Sequence, residues 1–272
     1  MKRIPLTKHD ETALFSYISD EPEINLFISG DVYTYGLEGP NVNVWAFLDG
    51  KGSWKGVLLR YMKKNYIFYS RSLDFPENAV ASTVKQDNPS LKGVCLSGKK
   101  ILIEKIAPLL SPLKKEETMM ARCNKLLPQV SETIPFVTAR LLGKSDFHEL
   151  FVLLSQIKEF TTSAYENEDE AVKRWTMSIN KGSAIFGVFL KGELVATAAS
   201  TADSPIASML VGVATKPGFR RKGYASLAVQ SLLADRFGKG QRFLCLFYDN
   251  PEAGRIYHKF GFVDVDAFTM VH

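Results

Sequence analysis

The chain has 272 residues, 46% of them hydrophobic and 23% charged, the balance of a soluble globular protein long enough for two domains of ordinary size. Its net charge of +5 is spread thinly, with 18 basic and 14 acidic residues over positions 1–130 and 16 against 15 over 131–272. Neither half carries the concentrated basic stripe that a nucleic acid requires, and no apolar run approaches the length that spans a bilayer.

Met1, Lys2, Arg3, Ile4 and Pro5 lead straight into polar positions, so no signal peptide is expected and the protein reads as cytoplasmic. Cys95, Cys123 and Cys245 are scattered, mostly among apolar residues, without metal or redox spacing. They are expected to be reduced core thiols, and no metal is expected.

Taken in order, residues 10–19 read as a short helix with Ala13, Leu14, Tyr17 and Ile18 on one face. Strands follow at 41–48, 54–61 and 66–70, broken by turn signals at 49–52 and 63–65, which predicts an antiparallel meander rich in aromatics. Residues 75–86 suit a helix, 91–97 a strand, 101–110 a helix with Pro108 near its end, and 118–123 a strand. Residues 126–133, with Pro128, Gln129 and Ser131, interrupt the pattern and read as a junction. Beyond it the order repeats: strand 136–141, helix 145–160 with Ser145 as N-cap, helix 167–180, and a hairpin of 183–190 and 194–201 across Lys191-Gly192.

The most informative stretch comes next. An apolar strand over 206–215 runs into the turn Lys216-Pro217-Gly218, then Arg220-Arg221-Lys222-Gly223-Tyr224-Ala225. Ala225, Ala228, Val229 and Leu232 then repeat at helical spacing. A basic, small-residue turn thus feeds a helix N-terminus, where free backbone N–H groups and the helix dipole favour an anion. Gly223 and Ala225 would let a phosphate come close to those amides. An ordinary basic turn before an amphipathic helix would look the same, so the loop alone does not decide.

Arg220-x-x-Gly223-x-Ala225 between a strand and a helix resembles the acetyl-CoA loop of the Gcn5-related N-acetyltransferase (GNAT) superfamily. Residues 247–253 and 256–262, Phe-Tyr-Asp-Asn-Pro-Glu-Ala and Ile-Tyr-His-Lys-Phe-Gly-Phe, resemble that superfamily's last strand–helix–strand unit, and the likeness extends over 134–272. The resemblance implies an α+β chain of two tandem acyl-CoA N-acyltransferase-like domains, each a mixed, mostly antiparallel sheet flanked by helices. The first, 1–130, is a degenerate copy in which only Gly98-Lys99-Lys100 stands near the loop position. The second, 131–272, is the catalytic domain.

The implied activity is acetyl-CoA-dependent N-acetylation of a primary amine on a small molecule or protein. Acetyl-CoA and the amine are then the partners of a monomer or homodimer, with no nucleic acid, membrane or metal. By resemblance Val213, Ala214 and Thr215 would meet the pantetheine arm through their backbone, and Arg220, Arg221, Lys222, Gly223, Tyr224, Ala225 and Ser226 would hold the pyrophosphate. Asn250, a natural N-cap ahead of Pro251, would also contact the pantetheine.

Tyr257 would be the general acid that protonates the departing thiolate. It also suits a core face with Ala253, Ile256 and Phe260, and a phenol near its usual pKa of about 10 can donate a proton at neutral pH. The strand 206–215 contains no Glu or Asp, so the general base is left open among a water chain, Glu166, Asp249 and a terminal carboxylate. The acidic run 166–170 reads first as the complement of a helix N-terminus. His258 is expected to be exposed. Two other functions fit the same residues. One is an acyl-CoA-binding sensor without turnover, against which the intact Tyr257 argues. The other is a tRNA-dependent aminoacyl-transferase, against which the intact loop and weak charge argue.

Overall fold

The computed structural model describes residues 2–127, 135–161 and 167–272. They form two compact units. The first comprises Met1–Ala121, Phe247–Asp249 and Asp264–His272, and the second Arg122–Leu246 and Asn250–Val263. The junction read at 126–133 falls mostly outside the described residues.

In the first stretch of chain, β1 (Lys2–Pro5) is followed by α1 (Glu11–Ile18), α2 (Leu26–Tyr35), β2 (Val42–Leu48), β3 (Trp54–Tyr61) and β4 (Asn65–Tyr69). Then come α3 (Glu77–Asp87), β5 (Cys95–Lys99), α4 (Lys100–Ile106) and β6 (Lys115–Cys123). β1 to β4 pair antiparallel in succession, as the meander reading expects. Asp49 shapes the β2–β3 turn, its Oδ1 accepting the N–H groups of Lys51 and Ser53 at 2.8 and 2.9 Å. β5 lies parallel to β4, with α3 as the crossover. Phe47, Leu58, Tyr66, Phe68, Val84 and Ile103 meet in the core of this unit.

The second stretch repeats that order. β7 (Val137–Leu141), α5 (Phe147–Ser155), α6 (Lys158–Thr161) and α7 (Glu168–Asn180) precede β8 (Ile185–Leu190), β9 (Glu193–Thr201) and β10 (Ala207–Thr215). α8 (Tyr224–Gly238) crosses to a parallel β11 (Phe243–Tyr248), and α9 (Pro251–Lys259) leads to β12 (Phe262–Val271). β7 to β10 pair antiparallel in succession, with Lys191 and Gly192 at φ of 51° and 88° forming the predicted tight turn. Phe147, Leu150, Trp175, Phe189 and Leu194 build the core here. β12 pairs antiparallel with β5, from Phe268 opposite Lys99 to Val271 opposite Leu96. Among the described residues no helix is long and apolar enough to cross a membrane.

Some local expectations change. α2 was not expected. The strand read at 91–97 starts only at Cys95, because Leu91 and Gly93 take positive φ. Ser145 does not cap α5. It sits inside a 3-10 turn, and Asp146 instead accepts the Gly143 N–H at 2.9 Å while Arg140 binds both of its oxygens at 2.7 and 2.8 Å. Cys123 and Cys245 are buried and Cys95 is half-buried, all as free thiols, and burial pushes the Cys123 thiol up to about 11.

A buried polar network fixes the far end of α8. Asp203 accepts from Arg236 Nη1 at 3.0 Å, from Ser208 at 2.5 Å, and from Ser183 and Ser200 at 2.8 and 3.2 Å. The Arg236 and Asp203 side chains are only 5% and 8% exposed. Replacing Asp203 with Ala leaves the buried Arg236 with Asp235 as its remaining carboxylate, 2.7 Å from Nη2, but takes from Nη1 and the serine hydroxyls the acceptor they share, which costs about 1–3 kcal/mol for buried groups of this kind. We expect a loss in that range by chemical denaturation, and a loss under about 1 kcal/mol would show the network to be dispensable.

Candidate active site

The site is built where β10 leaves β11. The two strands pair in parallel from Ala207 opposite Phe243 to Met209 opposite Cys245, and β10 then continues to Thr215. On its other side β10 pairs with β9, but the register shifts between Val211 and Ala214. Gly212 and Val213 together oppose Ala198, a bulge that Gly212 permits with φ of +61°. Val213 and Thr215 are half-buried and Ala214 is buried, so side chains here pack while the bulge disturbs the backbone ladder.

After Thr215 the chain turns as expected, with the Phe219 N–H donating to Lys216 O at 3.0 Å and Gly218 at φ of +86°. Lys216 also pairs with Glu193. Arg220 folds back so that Nε donates to Thr215 O at 3.4 Å. Lys222 lies over the Phe219 ring with 5.6 Å to its centroid, and Arg221 and Lys222 are both exposed. Gly223 is the N-cap of α8, left-handed at φ 83° and ψ −2°. No side chain caps this helix and no acidic residue stands in its first turn. A Cβ added at Gly223 would meet nothing within 4 Å, so the space beside this residue at the helix start is open. An uncapped helix start, open space and three adjacent cations fit a phosphate-bearing group such as CoA. Tyr224 is buried, which leaves its backbone N–H as its contribution to the site. Ala225 and Ser226 are half-buried behind it.

The candidates on α9 are placed as follows. Asn250 caps that helix, its Oδ1 accepting the Glu252 N–H at 2.8 Å, and Pro251 takes the first helical position. Tyr257 is half-buried, with its ring edge-on to Phe262 at 6.0 Å between centroids. Burial raises its phenol above the usual 10. The core face read from spacing is narrower than expected. Ile256 is 41% exposed and Ala253 half-buried, and within the helix only Gly254 is buried, because the apolar anchors Phe260 and Phe262 lie just past its end. His258 is exposed.

Glu166 lies outside the described residues. Glu168, Asp169 and Glu170 occupy the first turn of α7, which Asn167 caps by accepting the Glu170 N–H at 3.0 Å, as the helix-complement reading expects. Among the described residues no three His, Cys, Asp or Glu side chains gather as a metal site would need. Sequence reasoning missed the bulge, although a glycine inside an apolar strand run was its signal.

The first unit offers a contrast. A Cβ on Gly98, near the end of β5, would stand 2.5 Å from Phe68 O, so β4 and β5 run close together there. The β3–β4 ladder is regular from Val57 opposite Tyr69 to Tyr61 opposite Asn65. The helix that follows β4 begins at Pro76-Glu77, with an acidic residue in its first turn.

A model of the Acetyltransferase (GNAT) family matches residues 148–262. No curated protein sequence matches the chain. Among solved structures, a tandem GNAT protein from the clavulanic acid biosynthesis pathway aligns over 99% of this chain and 97% of its own, with a TM-score of 0.64 and 13% identity. A GCN5-related N-acetyltransferase from Sphaerobacter thermophilus aligns over 99% and 94%, with a TM-score of 0.65 and 14% identity. A GCN5-related N-acetyltransferase-like protein from Streptococcus suis covers 98% and 99%, with a TM-score of 0.62 and 13% identity. Identities this low speak for the fold alone. The family match spans the β10–α8 turn and α9, so residues 148–262 are similar to the Acetyltransferase (GNAT) family, and the fold of the whole chain is that of the tandem GNAT structures.

Proposed function

We propose that this protein is an N-acetyltransferase that moves an acetyl group from acetyl-CoA to a primary amine, using residues 131–272 as its catalytic domain and residues 1–130 as a degenerate copy. The observation that carries the reading is the uncapped start of α8 at Gly223, open in front and flanked by Arg220, Arg221 and Lys222. The amides of Gly223, Tyr224, Ala225 and Ser226 would hold the pyrophosphate, with the three cations adding charge that salt can screen. The backbone of Val213, Ala214 and Thr215, freed by the bulge, would receive the pantetheine arm, and Asn250 would add a contact through its amide while it caps α9. Bound acetyl-CoA supplies an activated acyl group and a thiolate leaving group. Tyr257 would deliver the proton from its hydroxyl to that leaving group. The close approach at Gly98 and the acidic start of α3 support a first unit without a CoA site. The intact Tyr257 favours turnover over a sensor role.

Two measurements test this. Calorimetry with CoA on the full chain is expected to give one site. Gly223→Val should weaken it more than tenfold by placing a side chain over the open amides, and should also cost about 1–2 kcal/mol of stability because the position is left-handed. Arg221→Ala and Lys222→Ala should each give a smaller loss that fades at high salt. Two sites per chain, or normal binding by the Val variant, would refute the assignment.

Turnover tests Tyr257. Tyr257→Phe should lower kcat by about 10²–10⁴ while CoA affinity holds. The working form is the protonated phenol, present below its pKa and lost as pH rises through it. Because burial raises that pKa, the alkaline limb of kcat should lie above pH 10 and disappear in the Phe variant. Wild-type turnover by Tyr257→Phe would return the residue to a packing role.

A further inference from the structure

Along β10 the residues from Ala207 to Leu210 are all buried, yet Val211, next in the same strand, is 37% exposed. Its place in the sheet accounts for this. The parallel pairing with β11 ends at Met209, so Val211 lies two residues beyond the last paired position on that edge. Gly212, which follows it, has no side chain to cover it. On the other edge Val211 stands directly opposite Ala199 of β9. Directly opposed residues of antiparallel strands turn their side chains to one face. Ala199 packs against the core of Phe147, Leu150 and Trp175, so Val211 projects on the side of the sheet where that core lies.

The bulge gives this face its spacing. Ala214 is opposite Thr197, two residues from Ala199, and belongs to the same core. Because the bulge inserts one extra residue into β10, Val211 and Ala214 share a face although they are three apart in sequence. They are separated by two steps of β9, about 7 Å. Counted back from the turn at 216–218, Val211 is thus the next side chain on this face after Ala214. It is also the first branched apolar one there that the core leaves uncovered.

We propose that Val211 is the side chain that limits acyl length, a wall for the acyl end of acyl-CoA that restricts the donor to acetyl. The proposal rests on the reading in which the backbone of Val213, Ala214 and Thr215 receives the pantetheine arm. On that reading the arm runs from the turn back along β10. The acyl group, at the far end of the arm from the pyrophosphate, then passes Ala214 and meets Val211. An acetyl methyl packs against the valine methyls, whereas each further methylene has to displace them or remain in water. One methylene in an apolar pocket discriminates by about 10- to 200-fold.

The test is calorimetry on the full chain with CoA, acetyl-CoA and butyryl-CoA, without an acceptor. The wild-type protein should bind butyryl-CoA at least about tenfold more weakly than acetyl-CoA. Val211→Ala removes two methyl groups, about the volume of the two extra butyryl carbons, and should bring the two Kd values within about threefold. Val211→Phe should weaken acetyl-CoA by about tenfold or more. CoA itself has no acyl group to meet the wall, and should bind all three proteins within about twofold.

Equal wild-type affinity for acetyl- and butyryl-CoA, or an undiminished butyryl penalty in Val211→Ala, would overturn the proposal. Either result, with CoA still bound, leaves the CoA site itself standing. Equal weakening of CoA and acetyl-CoA by Val211→Phe would place the wall away from the acyl end and sink the proposal too. Failure of the wild-type protein to bind CoA would remove the site reading, and this inference with it.

Discussion

A pair of parallel strands can host a ligand at its carboxyl end only if the backbones stop bonding to one another before they end, and something must then cover the groups set free. In the second unit β10 and β11 stay paired only as far as Met209 and Cys245. The bulge at Gly212 and Val213 loosens β10 from β9 on its other edge just beyond that point. The turn at 216–218 and the left-handed Gly223 then lead into α8, whose first turn has no side-chain cap and no acidic residue. The Asp203–Arg236 network holds the opposite end of the same helix, at the start of β10. The turn, the bulge and the network are thus parts of one arrangement around β10 and α8.

The first unit shows what the same order of elements does without those parts. Its β4 and β5 are parallel as well, but Gly98 lets the two backbones close up where the other pair parts. The helix after β4 opens on Pro76 and Glu77, and a carboxylate in a helix's first turn already answers the dipole. One order of elements therefore appears twice in the chain, once with its parallel strand pair parting early and once with it running close. Its chemistry resides in a few local departures rather than in the architecture.

Much of this was legible in the residues. β2, α7 and α8 were placed by their period because each turns one face to the core, whereas β3, β8, β9 and β10 are buried on both faces and were placed as apolar runs bounded by turn residues. Gly-x-Ala after three cations marked the loop because few other sequences leave a helix start both small and basic. α2 escaped because Leu26, Ile28, Gly30 and Val32 are buried on what reads as no single helical face. The face on α9 was overread. Spacing promised a buried Ile256, but the helix is anchored by residues beyond its last turn, and spacing within an element cannot show that. Nor could spacing set Val211 opposite Ala199, since strand partners are chosen by the fold and not by the neighbours in sequence.

The placement of β12 bears on how such a protein can arise and change. Its residues 264–272 belong to the first unit, with Val271 in that unit's core and Phe268 to Val271 bonded along β5. A gene fusion or recombination event that moved only the second half would carry the turn before α8 intact and leave this strand without its sheet. The stranded segment would offer an unpaired edge to any neighbour. The two halves are therefore locked into shared inheritance: the first cannot be discarded without orphaning the strand that follows α9.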